Sequence, residues 1–383
     1  MKITFPKEEF LKQLYPVMVT VSTKNTIPAI EGVLIETMDD GSLRLTSYDM
    51  LKGVRTFVKG ATIEESGSYI INGNKLLQIL KVLPNESDVT IEVDNTYHVT
   101  ISSGKSSFSL FALKGADFPA LPELAGEKGF EIGADVLKKM INQTMHSIAQ
   151  DDIRPILTGS YFTVGEGKLS VVSCDSHTLS ICSVVCDIKD IGKKYSLHES
   201  LNIPGHALTE LVRLIGDGEK SVRIYLGFKH AIFHVDDVLF FTRLLDGDYI
   251  DYNRFVPKEQ TIFLTLEKKR LQEGLERAML IAEEKIKGSG RSYVKLTLEG
   301  NTLTITSNSQ GGKVYDEMFC QHEGADLEIG FNCRLLLDCV RAADSEIIKI
   351  TMKGATQGIT IEPAEKNGES DFFYMVLPVR MNG

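Results

Sequence analysis

Asp246, Asp248 and Asp251 stand close enough in sequence to serve a divalent metal or an acid-base pair, and Asp151-Asp152 forms a second group of carboxylates. Both groups lie in turn-like sequence, where Asp is also favoured for hydrogen bonding to nearby backbone. Cys182 and Cys186 are four apart on a strand-like run and could point one way toward a metal. With His177 and His198 they complete no familiar ligand spacing, so isolated buried thiols are the better reading. Gly104-Lys105-Ser106 has Val99 where a phosphate-binding loop needs its first glycine. Neither a Gly-x-Ser-x-Gly elbow nor a His-Glu-x-x-His motif occurs. Nothing assembles a nucleophile, a base and an orienting partner, so the expectation is a protein without catalytic residues, metal or cofactor. The alternative is a multi-domain metal-dependent enzyme built on Asp246, Asp248 and Asp251.

The elements that would position such residues are repeated three times. Val33-Leu34-Ile35-Glu36-Thr37 leads through Asp39-Asp40-Gly41 into Leu43-Arg44-Leu45-Thr46. Tyr161-Phe162-Thr163-Val164 leads through Gly165-Glu166-Gly167 into Leu169-Ser170-Val171-Val172, and Tyr293-Val294-Lys295-Leu296-Thr297 through Glu299-Gly300-Asn301 into Leu303-Thr304-Ile305-Thr306. Alternating runs joined by a glycine turn predict β-hairpins. Downstream of each, Ile71-Asn72-Gly73, Ile203-Pro204-Gly205 and Phe331-Asn332-Cys333 each open a short amphipathic helix. Leu43 to Leu303 and Asn72 to Asn332 are both separated by 260 residues, so two independent motifs share one register. Helix-period stretches at Glu8 to Val21, Ala134 to Ala149 and Leu266 to Ala282 begin the three units. The prediction is an α+β protein of three similar domains, 1–126, 127–255 and 256–383, each a doubled βαβββ unit.

The 383 residues suit two or three domains that each bury a core, and with 43% hydrophobic residues the chain is no disordered tail. Met1-Lys2-Ile3-Thr4-Phe5-Pro6 reaches proline and charge before an apolar leader region could form, and no apolar run approaches the length of a membrane span. All six cysteines lie beyond residue 173, a poor framework for stapling the chain, so a reducing cytoplasm is expected. The net charge of −10 argues against a surface that grips nucleic acid all round. The six helix windows nevertheless carry thirteen Lys and Arg against nine Asp and Glu, leaving −14 on the rest of the chain. That segregation suits a polyanion held against the helices, although solvated helix faces would look the same.

The chain resembles the bacterial DNA sliding clamps, the beta subunits of the replicative DNA polymerase III holoenzyme. The resemblance runs through Thr26-Ile27-Pro28-Ala29-Ile30, Phe108-Ser109-Leu110, Asp117-Phe118-Pro119-Ala120-Leu121, Asp175-Ser176-His177-Thr178-Leu179 and Tyr374-Met375-Val376-Leu377-Pro378-Val379-Arg380-Met381. It implies a head-to-tail homodimeric ring that encircles duplex DNA without reading its sequence. Such a ring holds DNA by topology, so weak phosphate contacts suffice. It also implies partners: the replicative polymerase subunit, the clamp loader and other proteins carrying a clamp-binding motif.

The excess of Lys and Arg on the helices makes Lys12, Lys75, Lys81, Lys138, Lys139, Arg213, Lys268 and Arg277 the candidates to face DNA. The resemblance adds Lys24 and Gln150 as loop positions near DNA and places Phe108, Leu280 and Ile281 at the subunit contact. It implies a groove for short peptides, with a Gln and a hydrophobic end, formed by Leu157, Cys174, His177, Thr178, Leu179, Arg254, Phe255, Ile286, Thr356, Gly358, Met375, Leu377, Pro378, Val379, Arg380 and Met381. Ser176 and Thr178 stand where the family usually has Gly and Arg, Ile250 replaces a Pro, and Asn382-Gly383 extend the usual end.

Overall fold

Alternating apolar residues put one row of side chains on a single sheet face, and that row needs a helix or a second sheet to cover it. The computed structural model describes every residue except 24–25, 86, 125–127, 166, 186–187, 193–199, 217–220, 228, 283–292, 310, 366–369 and 382–383. Lys24, Cys186, His198, Ile286, Asn382 and Gly383 therefore lie outside the described residues. The first repeat runs β1 (Lys2–Pro6), α1 (Lys7–Val17), β2 (Gly32–Thr37), β3 (Leu43–Tyr48), β4 (Lys52–Val58), β5 (Thr62–Glu65), β6 (Ser68–Asn72), α2 (Gly73–Val82), β7 (Asp88–Val93), β8 (His98–Ser103) and β9 (Ser106–Phe111), followed by a short β10 (Leu113–Lys114). The second runs β11 (Lys128–Gly133), α3 (Ala134–Thr144), β12 (Gly159–Gly165), β13 (Lys168–Cys174), β14 (Thr178–Val185), β15 (Lys189–Gly192), β16 (Ser200–Pro204), α4 (Gly205–Ile215), β17 (Ser221–Leu226), β18 (His230–Val235) and β19 (Val238–Arg243). The third runs β20 (Ile262–Glu267), α5 (Lys268–Ala282), β21 (Val294–Glu299), β22 (Thr302–Asn308), β23 (Lys313–Phe319), β24 (Gln321–Glu323), β25 (Leu327–Phe331), α6 (Cys333–Ala342), β26 (Ile347–Met352), β27 (Ile359–Pro363) and β28 (Ser370–Val376).

The doubled βαβββ pattern holds with one addition that the sequence reading lacked. Between the halves, β5, β15 and β24 each pair with the first strand of their repeat, extending one sheet. The leading helices of the first two repeats are also shorter than their periodic stretches. They tighten into 3-10 turns at Met18–Thr20 and Met145–Ser147. Asn72 and Asn332, 260 residues apart, do the same work: each side-chain oxygen accepts a backbone N–H from the first turn of the helix it caps, Lys75 at 3.0 Å and Arg334 at 3.1 Å.

The chain divides into two compact units, one of Met1–Asp135, Lys189–Tyr195 and Thr209–Leu244, the other of Val136–Ile188, Ser196–Leu208 and Leu245–Gly383. The first unit holds a five-stranded sheet, β5-β1-β7-β8-β9, and a ten-stranded one, β10-β6-β2-β3-β4-β19-β18-β17-β11-β15. Phe10, Leu14 and Val17 of α1 are buried, at helical spacing, and Phe10 stacks on Phe5 with ring centroids 4.1 Å apart. The second unit holds a nine-stranded sheet, β16-β12-β13-β14-β28-β27-β26-β20-β24, and a four-stranded one, β23-β22-β21-β25. Its core joins Leu271 and Leu275 of α5 with Leu336, Leu337 and Val340 of α6 and the strands beneath them. Among the described residues no helix is long and apolar enough to cross a membrane.

In each unit the large sheet crosses from one repeat into another. The last strand of the first βαβββ half pairs antiparallel with the final strand of the repeat that follows, β4 with β19 and β14 with β28. Among the eight strands that end the four sheets of the described residues, β9 in the first repeat and β23 in the third are the counterparts of the strands paired at these two junctions.

Candidate functional site

Of the residues expected to form the peptide groove, Leu157, Cys174, Leu179 and Met375 gather in the second unit around the seam of β14 and β28. Strand alternation buries Leu179 completely and Met375 almost so, and they join Leu157, Cys174, Val172 and Ala149 in one apolar cluster. Tyr161, Tyr249, Ile250, Tyr252, Val256 and Phe373 pack against it, half-buried, with Tyr161 and Tyr249 stacked at 4.9 Å. Burial pushes the Cys174 thiol up, so it acts as an apolar wall. Past β28 the chain continues alongside His177, whose carbonyl accepts the Leu377 N–H at 2.9 Å, and Leu377 remains 40% exposed. Gly358 lies under both walls: a Cβ there would come within 3.1 Å of Leu377 Cδ2 and 3.3 Å of Met375 Cγ. Phe255 and Arg254 are exposed, and the guanidinium donates from Nε to Asp251 at 2.8 Å. This arrangement offers aliphatic and aromatic walls with few fixed polar groups, which suits an apolar side chain on an extended peptide.

The turn at 175–178 departs from the expectation in detail. Ser176 adopts φ +74°, the left-handed region that favours glycine, where the resemblance expects a glycine. Arg154, which also donates to both oxygens of Asp152, reaches the Ser176 hydroxyl. These donated bonds hold the Asp152 carboxyl down at about 2. Thr178 is buried, its hydroxyl and N–H both donating to Asp175 Oδ1, so it does not offer its side chain outward. At the end of the chain Val379 donates its N–H to Gly330 at 2.8 Å, while Met381 packs over Gly330. Val379 and Met381 are thus tied to β25. Pro378 is half-buried, and Arg380 and Thr356 are exposed.

Of the nine described residues expected to face DNA, Lys12, Lys75, Lys81, Gln150, Arg213 and Arg277 are exposed. Lys138 and Lys139 of α3 are half-buried, and Lys139 pairs with Asp344. Lys268 is turned elsewhere: its Nζ donates to the carbonyls of Ala343 at 2.6 Å and Arg341 at 3.1 Å, closing the end of α6. Lys7 does the same at the end of α2, donating to Asn85 Oδ1 at 2.8 Å and to the Leu83 carbonyl. Arg277 is paired with Asp316 and Arg213 with Glu210, so each contact with phosphate would compete with a carboxylate.

At the expected subunit contact, Leu280 is 77% exposed on α5, Ile281 is half-buried against Gly312, and Phe108 is half-buried on β9. The sequence reading missed the aromatic residues beside them, Tyr315 and Phe319 on β23 and Phe111 on β9, all exposed. For Tyr315 and Phe319 the available signal was their spacing of four, which puts both on one face of β23 and Val314 and Met318 on the other. Asp246, Asp248 and Asp251 are exposed, and among the described residues no group of three or more His, Cys, Asp or Glu could hold a metal ion. The enzymatic alternative finds no support in this geometry.

Comparison with known proteins accounts for the whole chain. Models of the N-terminal, central and C-terminal domains of the DNA polymerase III beta subunit match residues 1–122, 131–251 and 253–380. The beta sliding clamp of Bacillus subtilis is 31% identical, over 99% of this chain and 100% of that protein. Among solved structures, a putative DNA polymerase III beta subunit from Eubacterium rectale matches with a TM-score of 0.91 at 27% identity, covering 100% of both chains. The sliding clamp of Pseudomonas aeruginosa bound to griselimycin matches with a TM-score of 0.87 at 28% identity, again over 100% of both. The chain belongs to the bacterial DNA polymerase III beta-subunit family and acts as a DNA sliding clamp.

Proposed function

We propose that this chain is one half of a closed head-to-tail ring, with domains 1–126, 127–255 and 256–383, that slides on duplex DNA in the cytoplasm and carries out no chemistry of its own. One observation carries the ring: both internal junctions join the same two strands of successive repeats, and the open edges β9 and β23 are the two halves of a third such junction. An open edge strand is a template for pairing, and a head-to-tail contact either closes or grows into a filament. A second copy that closes the ring satisfies both edges.

Duplex DNA then passes the helices bearing Lys12, Lys75, Lys81, Lys138, Lys139, Arg213 and Arg277, with Lys24 and Gln150 as further positions near it. With several of these cations already paired, the phosphate contacts stay weak, which leaves sliding unopposed. The replicative polymerase, the clamp loader and other clamp-binding proteins dock through short peptides in the groove between the Leu157, Leu179 and Met375 wall and Leu377. Griselimycin, to which the Pseudomonas aeruginosa relative is bound, is a further ligand for this chain.

The test is topological. After loading by an ATP-driven loader onto nicked circular DNA, the protein stays bound, and it leaves when the circle is cut. Equal retention on linear DNA with free ends would refute the ring. Sedimentation at micromolar concentration gives about twice the 42.5 kDa chain mass.

A further inference from the structure

The two internal junctions share one ladder pattern but present different side chains. Phe240 faces Val54 in the first, and Tyr374 faces Ser180 in the second. Phe233 faces Phe240 as Ile361 faces Tyr374, so positions match strand by strand. Val54, Phe240, Phe233 and Ile224 are buried on one face of the ten-stranded sheet. Alternation turns their neighbours Arg55, Leu239, His234 and Arg223 to the other face, where the ladder sets them side by side across β4, β19, β18 and β17. The matching row of the second unit reads Ile181, Phe373, Glu362 and Lys349.

Charge is balanced in the second row and left open in the first. Lys349 faces Glu362 across the ladder, and its ammonium lies 4.8 Å from the centroid of the Phe263 ring. In the first unit His234 stands in place of that carboxylate and Arg55 in place of Ile181. Arg55 is half-buried, with a long 3.5 Å contact from Nε to the Thr46 hydroxyl, and Arg223 is exposed. Among the described residues neither guanidinium forms an ion pair, and carboxylates in the same part of the sheet are held elsewhere: Glu36 takes Arg44 at 2.8 Å and Asp237 takes Lys59 at 3.8 Å. Glu131 faces Arg223 from β11 and faces Lys189 on its other side. Burial and the neighbouring Arg44 lower the Arg55 pKa, as they would for a cation short of counter-charge. Burial and Arg223 likewise lower that of His234, which at neutral pH adds an N–H to the row and no charge.

We propose that this row docks an acidic segment of a partner protein, lying extended across the strands with one carboxylate on Arg55, an apolar side chain on Leu239 and a second carboxylate on Arg223. The surface lies in the first unit, apart from the peptide groove, and does not depend on it. Spacing selects the segment. Neighbouring strands lie about 4.8 Å apart, so Arg55 and Arg223, three strands apart, are separated by about 14 Å. An extended chain rises about 3.4 Å per residue, so side chains four residues apart share a face and span the same distance. The motif is therefore acidic-x-apolar-x-acidic, and each guanidinium can hold its carboxylate through two parallel hydrogen bonds. A single nucleic-acid strand also carries spaced anions, but its bases need open aromatic faces to stack on. The rings here, Tyr225 and His234, pack edge-on against each other with centroids 5.1 Å apart.

The experiment measures fluorescence anisotropy of a labelled peptide, Gly-Glu-Ser-Leu-Ser-Glu-Gly, on the full-length protein. The control is Gly-Glu-Glu-Leu-Ser-Ser-Gly, of equal charge but with its acids on opposite faces. The expected result is tighter binding of the first peptide, weakened about tenfold by each of Arg55→Gln and Arg223→Gln and unchanged by Lys59→Gln and Leu377→Ala. Arg223 is exposed, so Arg223→Gln carries the test if Arg55→Gln lowers the melting temperature. A benzophenone in place of the peptide's leucine should attach to β19. No binding up to millimolar peptide, equal binding of the control peptide, or equal loss with Lys59→Gln would overturn the proposal. Attachment in the second unit, or loss of binding with Leu377→Ala, would assign the peptide to the groove instead and also overturn it. A single-stranded oligonucleotide of equal charge that binds more tightly than the peptide, and loses binding with Arg223→Gln, would replace the acidic segment by a nucleic-acid backbone.

Discussion

Leu377→Ala separates the groove from the fold, because Leu377 is split between the two. Fully burying a leucine side chain contributes about 1.5 to 3 kcal/mol. Leu377 is 40% exposed in the free chain, so about 0.6 to 1.2 kcal/mol of that remains to be gained when a peptide covers it. The substitution therefore raises the Kd of a groove-binding peptide about three- to eightfold. The part already buried makes the same change cost about 1 to 2 kcal/mol of folding stability. Met375 is only 6% exposed, so Met375→Ala spends nearly all its effect on the fold, about 2 to 5 kcal/mol, and serves as the contrasting variant. Fluorescence anisotropy with a labelled peptide bearing a Gln and a hydrophobic end reads the first quantity, and denaturant unfolding reads the second. An unchanged Kd for Leu377→Ala, with the expected loss of stability, would show that the exposed face of Leu377 does not touch the peptide and would refute the reasoning.

Burial holds the His146 imidazole near pH 4, well below its usual range, with Nδ1 lacking a hydrogen-bond partner among the described residues. The unfolded chain takes up a proton near pH 6.5 and the folded chain does not, so stability falls as pH drops from about 6.5 to 4, by on the order of 3 kcal/mol. His146→Leu, which removes the titrating group, flattens that part of a melting-temperature profile. Gly53→Ala should be among the most damaging small changes in the first unit, costing more than about 2 kcal/mol: its Cβ would lie 2.3 Å from the Phe241 ring across the β4–β19 seam and 2.6 Å from the Ser47 carbonyl oxygen on β3. Thermal unfolding checks it. Deleting residues 379–383 abolishes binding of a polymerase-tail peptide while the sedimentation mass stays dimeric, and because it also uncovers Gly330 and removes the bond from Val379, a small loss of stability accompanies it.

The repeat was legible because its signals are local. An alternating run, a glycine turn and an asparagine cap each act within a few residues, so Leu43 and Leu303, or Asn72 and Asn332, kept a spacing of 260 through every tie that the structure makes. The small groove cluster was reached through likeness rather than periodicity: nothing in the alternation around Cys174 or Met375 says that Leu157, far away in sequence, shares their wall. Likewise, charge counts named Lys268 as a cation for DNA. Only packing showed that the carbonyls at the end of α6 claim it.

Sequence by itself determined that the chain makes three copies of one α+β unit, because side-chain period and turn chemistry specify what each segment becomes. It did not determine that β4 would pair with β19 and β14 with β28, or that β9 and β23 would be left open. A strand's alternation states which face is apolar but names no neighbour. The neighbour is chosen by which edges the tertiary fold brings side by side, and that choice pairs these strand positions at both internal junctions while leaving β9 and β23 without such a partner among the described residues.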